Sequence, residues 1–178
     1  GMVDDNLMNR YSDNVKIYAN AYVSVEFMKG LNYTLNLTPD FQFYRYNSYL
    51  GLYDYGLNKN DITQVTEQQT RTRNVLVENL LTFDRTFGDH KISVLAGYTY
   101  QDSRYRYMQG SGQGMPTGIK EIDAAAQGLA VGANSSRSVL TSILGRAFYS
   151  YKNRYLLTAT IRRDGSSKFG SNNRYGNF

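Results

Sequence analysis

The stretch Val15–Phe27, VKIYANAYVSVEF, decides the fold. Every odd position is apolar (Val15, Ile17, Ala19, Ala21, Val23, Val25, Phe27), and Lys16, Tyr18, Asn20, Tyr22, Ser24 and Glu26 occupy the even ones. A period of two places successive side chains on opposite sides of an extended chain, so this is a β-strand with one apolar face. Past Met28-Lys29-Gly30 the same parity resumes: Leu31, Tyr33, Leu35, Leu37, Phe41 and Phe43 face Asn32, Thr34, Asn36, Thr38, Asp40 and Gln42. Two such runs joined by a tight turn predict a hairpin. Pro39 cannot donate to a ladder, which predicts a bulge or an unpaired position there.

Working outward, Asn47–Asp61 reads as a loop rich in Asn, Gly and Asp. A third strand is expected over Ile62–Phe83; Thr63–Arg73 is polar on both sides, and Val75, Val77, Leu81 and Phe83 then oppose Leu76 and Leu80. Phe87-Gly88-Asp89-His90 marks a turn. The fourth strand sets Ile92, Val94, Ala96, Tyr98 and Tyr100 against Lys91, Ser93, Gly97, Thr99 and Gln101, and becomes polar on both sides from Asp102. Met108–Arg137 is expected to be a long excursion with a helical turn or two at Ile119–Gln127. A last hairpin joins Val139–Tyr151 to Tyr155–Arg163 and opens into the Gly/Ser/Asn-rich Asp164–Phe178. The fold class is therefore all-β, an antiparallel up-and-down meander of about six strands.

Three short connections, near Lys29, Asp89 and Asn153, alternate with long ones near Tyr53, Gly114 and Gly170. In a meander alternate connections lie at opposite ends, so the short turns share one end, as in transmembrane β-barrels. A tilted strand crosses a bilayer in roughly 9 to 11 residues, and the first two strands exceed that. Aromatic side chains flank the apolar zone at both ends, with Phe27, Phe83, Phe87, Tyr149, Tyr151 and Tyr155 near the short turns and Phe41, Phe43, Tyr44, Tyr46, Tyr98 and Tyr100 toward the long loops. Interfacial rings behave this way. The alternative is a soluble secreted or periplasmic β-sandwich, such as a carbohydrate-binding module, whose apolar faces would meet in a core.

Composition narrows the function. The 178 residues include 17 Tyr and 8 Phe but no Trp, no Cys and only 2 Pro, a strand-favouring set. A mean hydropathy of -0.52 and the lack of any apolar run long enough for a spanning helix exclude a helical membrane protein. The net charge of +5 is scattered, so nucleic acid is not an expected partner. No nucleophile and base are spaced for catalysis, His90 is the only histidine, and an enzyme is not expected. Asp54 and Asp61, or Asp102 and Asp123, are oxygen donors whose spacing does not ask for Ca²⁺; no metal site and no cofactor are expected. The glycines of Gly110–Gly118 lack the Lys-Ser/Thr ending of a phosphate loop and read as flexible loop. Tyr53, Tyr55, Tyr105 and Tyr107, beside the long loops, are the candidate ligand-contact residues, because aromatic faces pack on apolar ligand surfaces.

Two segments carry a family resemblance. Asn74–Tyr98 (NVLVENLLTFDRTFGDHKISVLAGY) and Leu144–Gly170 (LGRAFYSYKNRYLLTATIRRDGSSKFG) resemble the barrel of SusC/RagA-type TonB-dependent transporters of Bacteroidetes. The second is the more specific, through Gly145-Arg146, Tyr149-Ser150-Tyr151, Arg154–Ala159 and Arg162–Gly170, with Asn173-Arg174-Tyr175-Gly176 as a continuation. The resemblance implies an outer-membrane importer of glycans or peptides in a Gram-negative cell, with a SusD-like lipoprotein capping the barrel and TonB supplying energy. No plug domain, TonB box or signal peptide is seen in residues 1–178, and about six strands cannot enclose a barrel of about 22. The expectation is a partial barrel that by itself neither transports nor binds TonB. In lipid its apolar stripe faces acyl chains; in water the stripe is expected to curl into a two-layer core or to drive self-association.

Overall fold

The computed structural model describes residues 7–169 and 175–177, and Asn173 and Arg174 of the expected continuation lie outside them. Ten strands form in chain order: β1 (Met8–Tyr18), β2 (Ala21–Met28), β3 (Leu31–Leu50), β4 (Tyr53–Asp54), β5 (Lys59–Asn60), β6 (Gln64–Phe87), β7 (His90–Gln113), β8 (Gln127–Tyr151), β9 (Tyr155–Ser166) and β10 (Tyr175–Asn177). Among the described residues the main sheet runs β1-β3-β6-β7-β8-β9-β10, with β2 also on β3 and with no pairing between its end strands. The expected meander is present, in an open sheet.

The predicted first strand is divided. Ala19 and Asn20 leave the ladder opposite Pro39: the Ala19 N–H donates to the Pro39 carbonyl at 3.1 Å, but Pro39 has no N–H to return. Asn20 fills the gap through its amide, which donates to Thr38 Oγ1 at 2.7 Å. Pairing resumes at Ala21↔Leu37 and continues to a second irregularity between Glu26 and Met28. Phe27 is the extra residue of that bulge, and the Glu26 carboxylate accepts the Gly30 N–H at 2.9 Å to close the turn.

Each tight turn follows from local stereochemistry. Gly30 takes φ +85, and a Cβ there would sit 2.1 Å from the Asp84 carbonyl oxygen of β6. At the β8–β9 turn Lys152 and Asn153 take φ 54 and 51, and the Arg154 N–H donates to the Tyr151 carbonyl at 3.0 Å. Two positive φ values at the central positions define the hairpin turn whose twist matches its flanking strands. The β8–β9 pairing then runs without interruption from Tyr151↔Tyr155 to Leu140↔Ser166.

Two compact units divide the described residues. One, the loop-end unit, takes those of 1–17, 41–72 and 104–136; the other, the turn-end unit, takes those of 18–40, 73–103 and 137–178. All three tight turns fall in the turn-end unit and both long connections described fall in the loop-end unit, as the meander argument requires.

The apolar stripe is exposed at many positions and half-buried at others such as Leu31, Val75, Val77 and Ile92: Val15 is 53% exposed, Val23 62%, Ile143 60% and Ile161 68%. The buried hydrophobic residues are instead Tyr49, Val65 and Met115 in the loop-end unit, with Ile122, Ala124 and Ala125 packed against them. The stripe thus does not curl into a two-layer core, which is also what the sandwich alternative needs.

Several strands outrun their expected limits. Strand β3 continues through Asn47 to Leu50, and the expected loop beyond it contains the hairpin Tyr53↔Asn60, Asp54↔Lys59. The expected excursion over Met108–Arg137 shrinks because β7 persists to Gln113 and β8 begins at Gln127. Its predicted helical turn is a single 3₁₀ turn, Ile122–Ala124. The glycines expected to loosen this loop do the opposite. A Cβ on Gly112 would lie 2.6 Å from that of Ala125, and one on Gly110 3.0 Å from Ile122 Cδ1, so the missing side chains let the loop pack onto β7. The Thr63 hydroxyl, just before β6, ties the loop down by donating to the Met115 carbonyl at 2.7 Å.

Candidate functional site

Strand parity gives the sheet two chemically distinct faces. One carries Val15, Ile17, Val23, Val25, Leu35, Leu37, Val94, Ile143, Leu157 and Ile161, all of them exposed. One polar pair lies within this face: Asn79 Oδ1 accepts the Tyr33 hydroxyl at 2.7 Å. The opposite face is hydroxyl- and amide-rich, with Ser24 and Thr34 3.0 Å apart across β2–β3 and Arg162 donating to both oxygens of Asp164 at 2.9 and 3.0 Å. Leu80 and Leu144 meet over Gly97 on that side, where a Cβ would lie 3.0 Å from Leu144 Cγ.

At the short turns aromatic rings cluster as expected of an interfacial belt. Phe27 lies 6.4 Å from Tyr33, and Tyr151 6.5 Å from Tyr155. His90, which ends the expected turn, is exposed and begins β7; its Nδ1 is 2.7 Å from the Tyr149 hydroxyl and its ring 4.8 Å from that of Tyr151. Guanidinium and ammonium groups complete the belt, with Arg85 5.6 Å from the Phe87 ring centre and Lys152 5.4 Å from that of Tyr151.

The four candidate tyrosines resolve into two pairs. Tyr53 and Tyr55 stack at 5.7 Å on the β4–β5 hairpin, with Tyr55 70% exposed. Tyr105 and Tyr107 share the polar face of β7, and the Tyr107 hydroxyl donates to Gln109 Oε1. Among the described residues no ring contact joins one pair to the other. The loop carboxylates considered for Ca²⁺ are engaged elsewhere: Asp54 accepts the Gly56 N–H at 2.9 Å, Asp61 pairs with Lys59 at 2.8 Å, and Asp102 pairs with Arg137.

Sequence reading missed one grouping. Charges that look scattered along the chain are gathered by pairing in the loop-end unit: Arg45 of β3 and Arg71 of β6 line one hollow, Arg71 and Arg106 of β7 line a second, and the two share Gln69 and Arg71 in a single groove region. The signal was their parity, since Arg45 continues the face of Phe41 and Phe43.

Long strands, an uncovered apolar face, a polar face behind it and segregated short turns together define the wall of a transmembrane β-barrel. No family model matches the chain. It is 31% identical over 170 residues to TonB-dependent receptor P3 of Formosa agariphila, covering 90% of this chain and 16% of that receptor. With TonB-dependent receptor SusC of Bacteroides thetaiotaomicron it shares 52% identity over 46 residues, 26% of this chain and 5% of that protein. Its fold matches the structure of the RagAB peptide transporter with a TM-score of 0.89 at 17% identity, over 97% of this chain and 20% of that one. The chain belongs to the SusC/RagA-type TonB-dependent receptors and has the fold of a stretch of their barrel. It spans 16% and 15% of the length of two Formosa relatives, P3 and P39. These relatives are receptors and transporters, not enzymes.

Proposed function

We propose that this chain forms lipid-facing wall, lumen lining and extracellular loops of an outer-membrane importer of glycans or peptides. One observation carries the reading: an exposed apolar face set against a polar one on strands whose short turns fall in one unit and whose long connections fall in the other. An apolar face of this extent is stable against acyl chains and costly against water. TonB supplies the energy and a SusD-like lipoprotein caps the barrel in this proposal, as the family relationship leads one to expect. Peptide cargo is supported by the likeness to the RagAB peptide transporter, and glycan cargo is what the resemblance to SusC/RagA-type transporters implies. Tyr53, Tyr55, Tyr105 and Tyr107 serve as cargo-contact rings, the first pair presented by a surface hairpin and the second lining the lumen.

The test uses the full-length receptor. Membrane fractionation should recover it with the outer membrane and in detergent only; recovery in the soluble periplasmic fraction sinks the proposal. In uptake assays with glycan and peptide pools, Tyr105→Ala with Tyr107→Ala should weaken cargo binding. Unchanged affinity removes these two from the contact set without touching the wall assignment.

A further inference from the structure

We infer that the loop-end groove on the apolar face is a binding site for the phosphate-bearing headgroup of an outer-leaflet lipid. The inference rests on that face being lipid-facing, and adds a specific lipid contact to it. Strand β3 passes from Phe41 and Phe43 to Arg45 on one face, so the groove begins where acyl chains would end. Val15 and Phe43 form its apolar side, and Arg45, Arg71 and Arg106 are its cationic lining. All three arginines are exposed. Neighbouring strands stand about 4.8 Å apart, so guanidiniums on three successive strands can share one phosphate, each offering two parallel donors.

The charge balance favours an anion. Three guanidiniums meet one carboxylate in the groove, Asp13, and that carboxylate accepts the Tyr11 hydroxyl. Glu67 lies one step further along the same face of β6, beside Lys120 and Glu121. Inorganic phosphate would use the arginines but leave the Val15 and Phe43 side wet. An amphiphile uses both, with chains along the apolar stripe and its phosphate among the arginines.

The experiment compares lipid A with its phosphates intact, lipid A with its phosphates removed, and inorganic phosphate, each added to the purified full-length receptor in neutral detergent and read by native mass spectrometry. Intact lipid A should be retained best. Arg45→Gln, Arg71→Gln and Arg106→Gln should each weaken retention about fivefold, and the three Lys replacements should preserve most of it. Equal retention of the dephosphorylated lipid, displacement of lipid A by inorganic phosphate, or a triple Gln variant within twofold of wild type overturns the inference. Should the triple variant fail to fold, the two lipids compared on the wild-type receptor decide alone. Uptake on the same variants keeps the importer reading separate, since lost lipid selectivity with unchanged uptake leaves it standing.

Discussion

Tyr33 donates its hydroxyl to Asn79 Oδ1 at 2.7 Å across β3 and β6, placing a satisfied polar pair inside an otherwise apolar face. Phe27 shields it from one side, 6.4 Å from the Tyr33 ring. In lipid no water replaces a lost partner, so each group here depends on the other. Tyr33→Phe should destabilise the full-length receptor by about 1 kcal/mol, because it strands the Asn79 amide. Combining it with Asn79→Leu should recover most of the loss, since both polar groups are then gone. Thermal unfolding in detergent reads this, and a double variant no better than the single one contradicts the assignment of this face to lipid.

Gly112 is a packing position rather than a hinge. With only 2.6 Å between a built Cβ and that of Ala125, Gly112→Ala must push the 3₁₀ turn off β7. Limited proteolysis should then cut within residues 114–126 faster than in the parent. Gly132→Ala is the matched control, since a Cβ there meets nothing within 4 Å, and it should leave the pattern unchanged.

Much of the sheet was legible because one face of each strand has to be apolar where lipid lies, and a period of two leaves a readable trace. Legibility stopped where both faces are wet. Thr63–Arg73 and the residues from Asp102 to Tyr107 could still be read as continuations of striped strands, but Met108–Gln113 and Gln127–Ser138 carry no stripe, so their ladders could not be told from loop by alternation. Glycines at 110 and 112 have the composition of a loop, and only the position of Ile122 and Ala125 shows them as contact points. The arginine groove was invisible for a related reason: Arg45, Arg71 and Arg106 are far apart in sequence and meet only through strand order. For the tyrosines, sequence proximity gave each pair but no relation between pairs.

The β8–β9 turn carries strain that a substitution can relieve. Lys152 and Asn153 both sit at positive φ, a conformation that costs a side-chain-bearing residue about 1 kcal/mol and costs Gly nothing comparable. Replacing the pair by Asn-Gly should therefore stabilise the hairpin by about 1 kcal/mol, at the expense of the Lys152–Asp89 ion pair at 3.7 Å, which is exposed and weak. The Lys152 N–H to Asp89 carbonyl bond, 2.8 Å, survives because it is backbone. Gly30→Ala should do the reverse and destabilise strongly, its Cβ meeting the Asp84 carbonyl at 2.1 Å. Unfolding midpoints for the two variants should move in opposite directions.

Asp102 is 7% exposed and sits on β7 directly after Tyr100, where the face turns from apolar to charged. Arg137 of β8 reaches it with two prongs, Nε to Oδ1 at 2.9 Å and a terminal nitrogen to Oδ2 at 3.1 Å. The hydrogen bond to Asp102 is the main reason the guanidinium is held above its ordinary pKa, with the Asp102 charge next. The two members are unequal: removing Arg137 takes a two-pronged donor from a nearly buried carboxylate, and removing Asp102 leaves a half-exposed arginine that can turn to solvent. Arg137→Ala should accordingly destabilise more than Asp102→Ala, and the double variant should sit closer to Asp102→Ala than additivity allows. Midpoint shifts measured at low and high salt complete the test. With its carboxylate nearly buried, the pair should lose less to ionic strength than a fully exposed one, so a cycle that collapses at high salt, or single variants of equal cost, would mean that this contact is a surface ion pair with no part in joining β7 to β8.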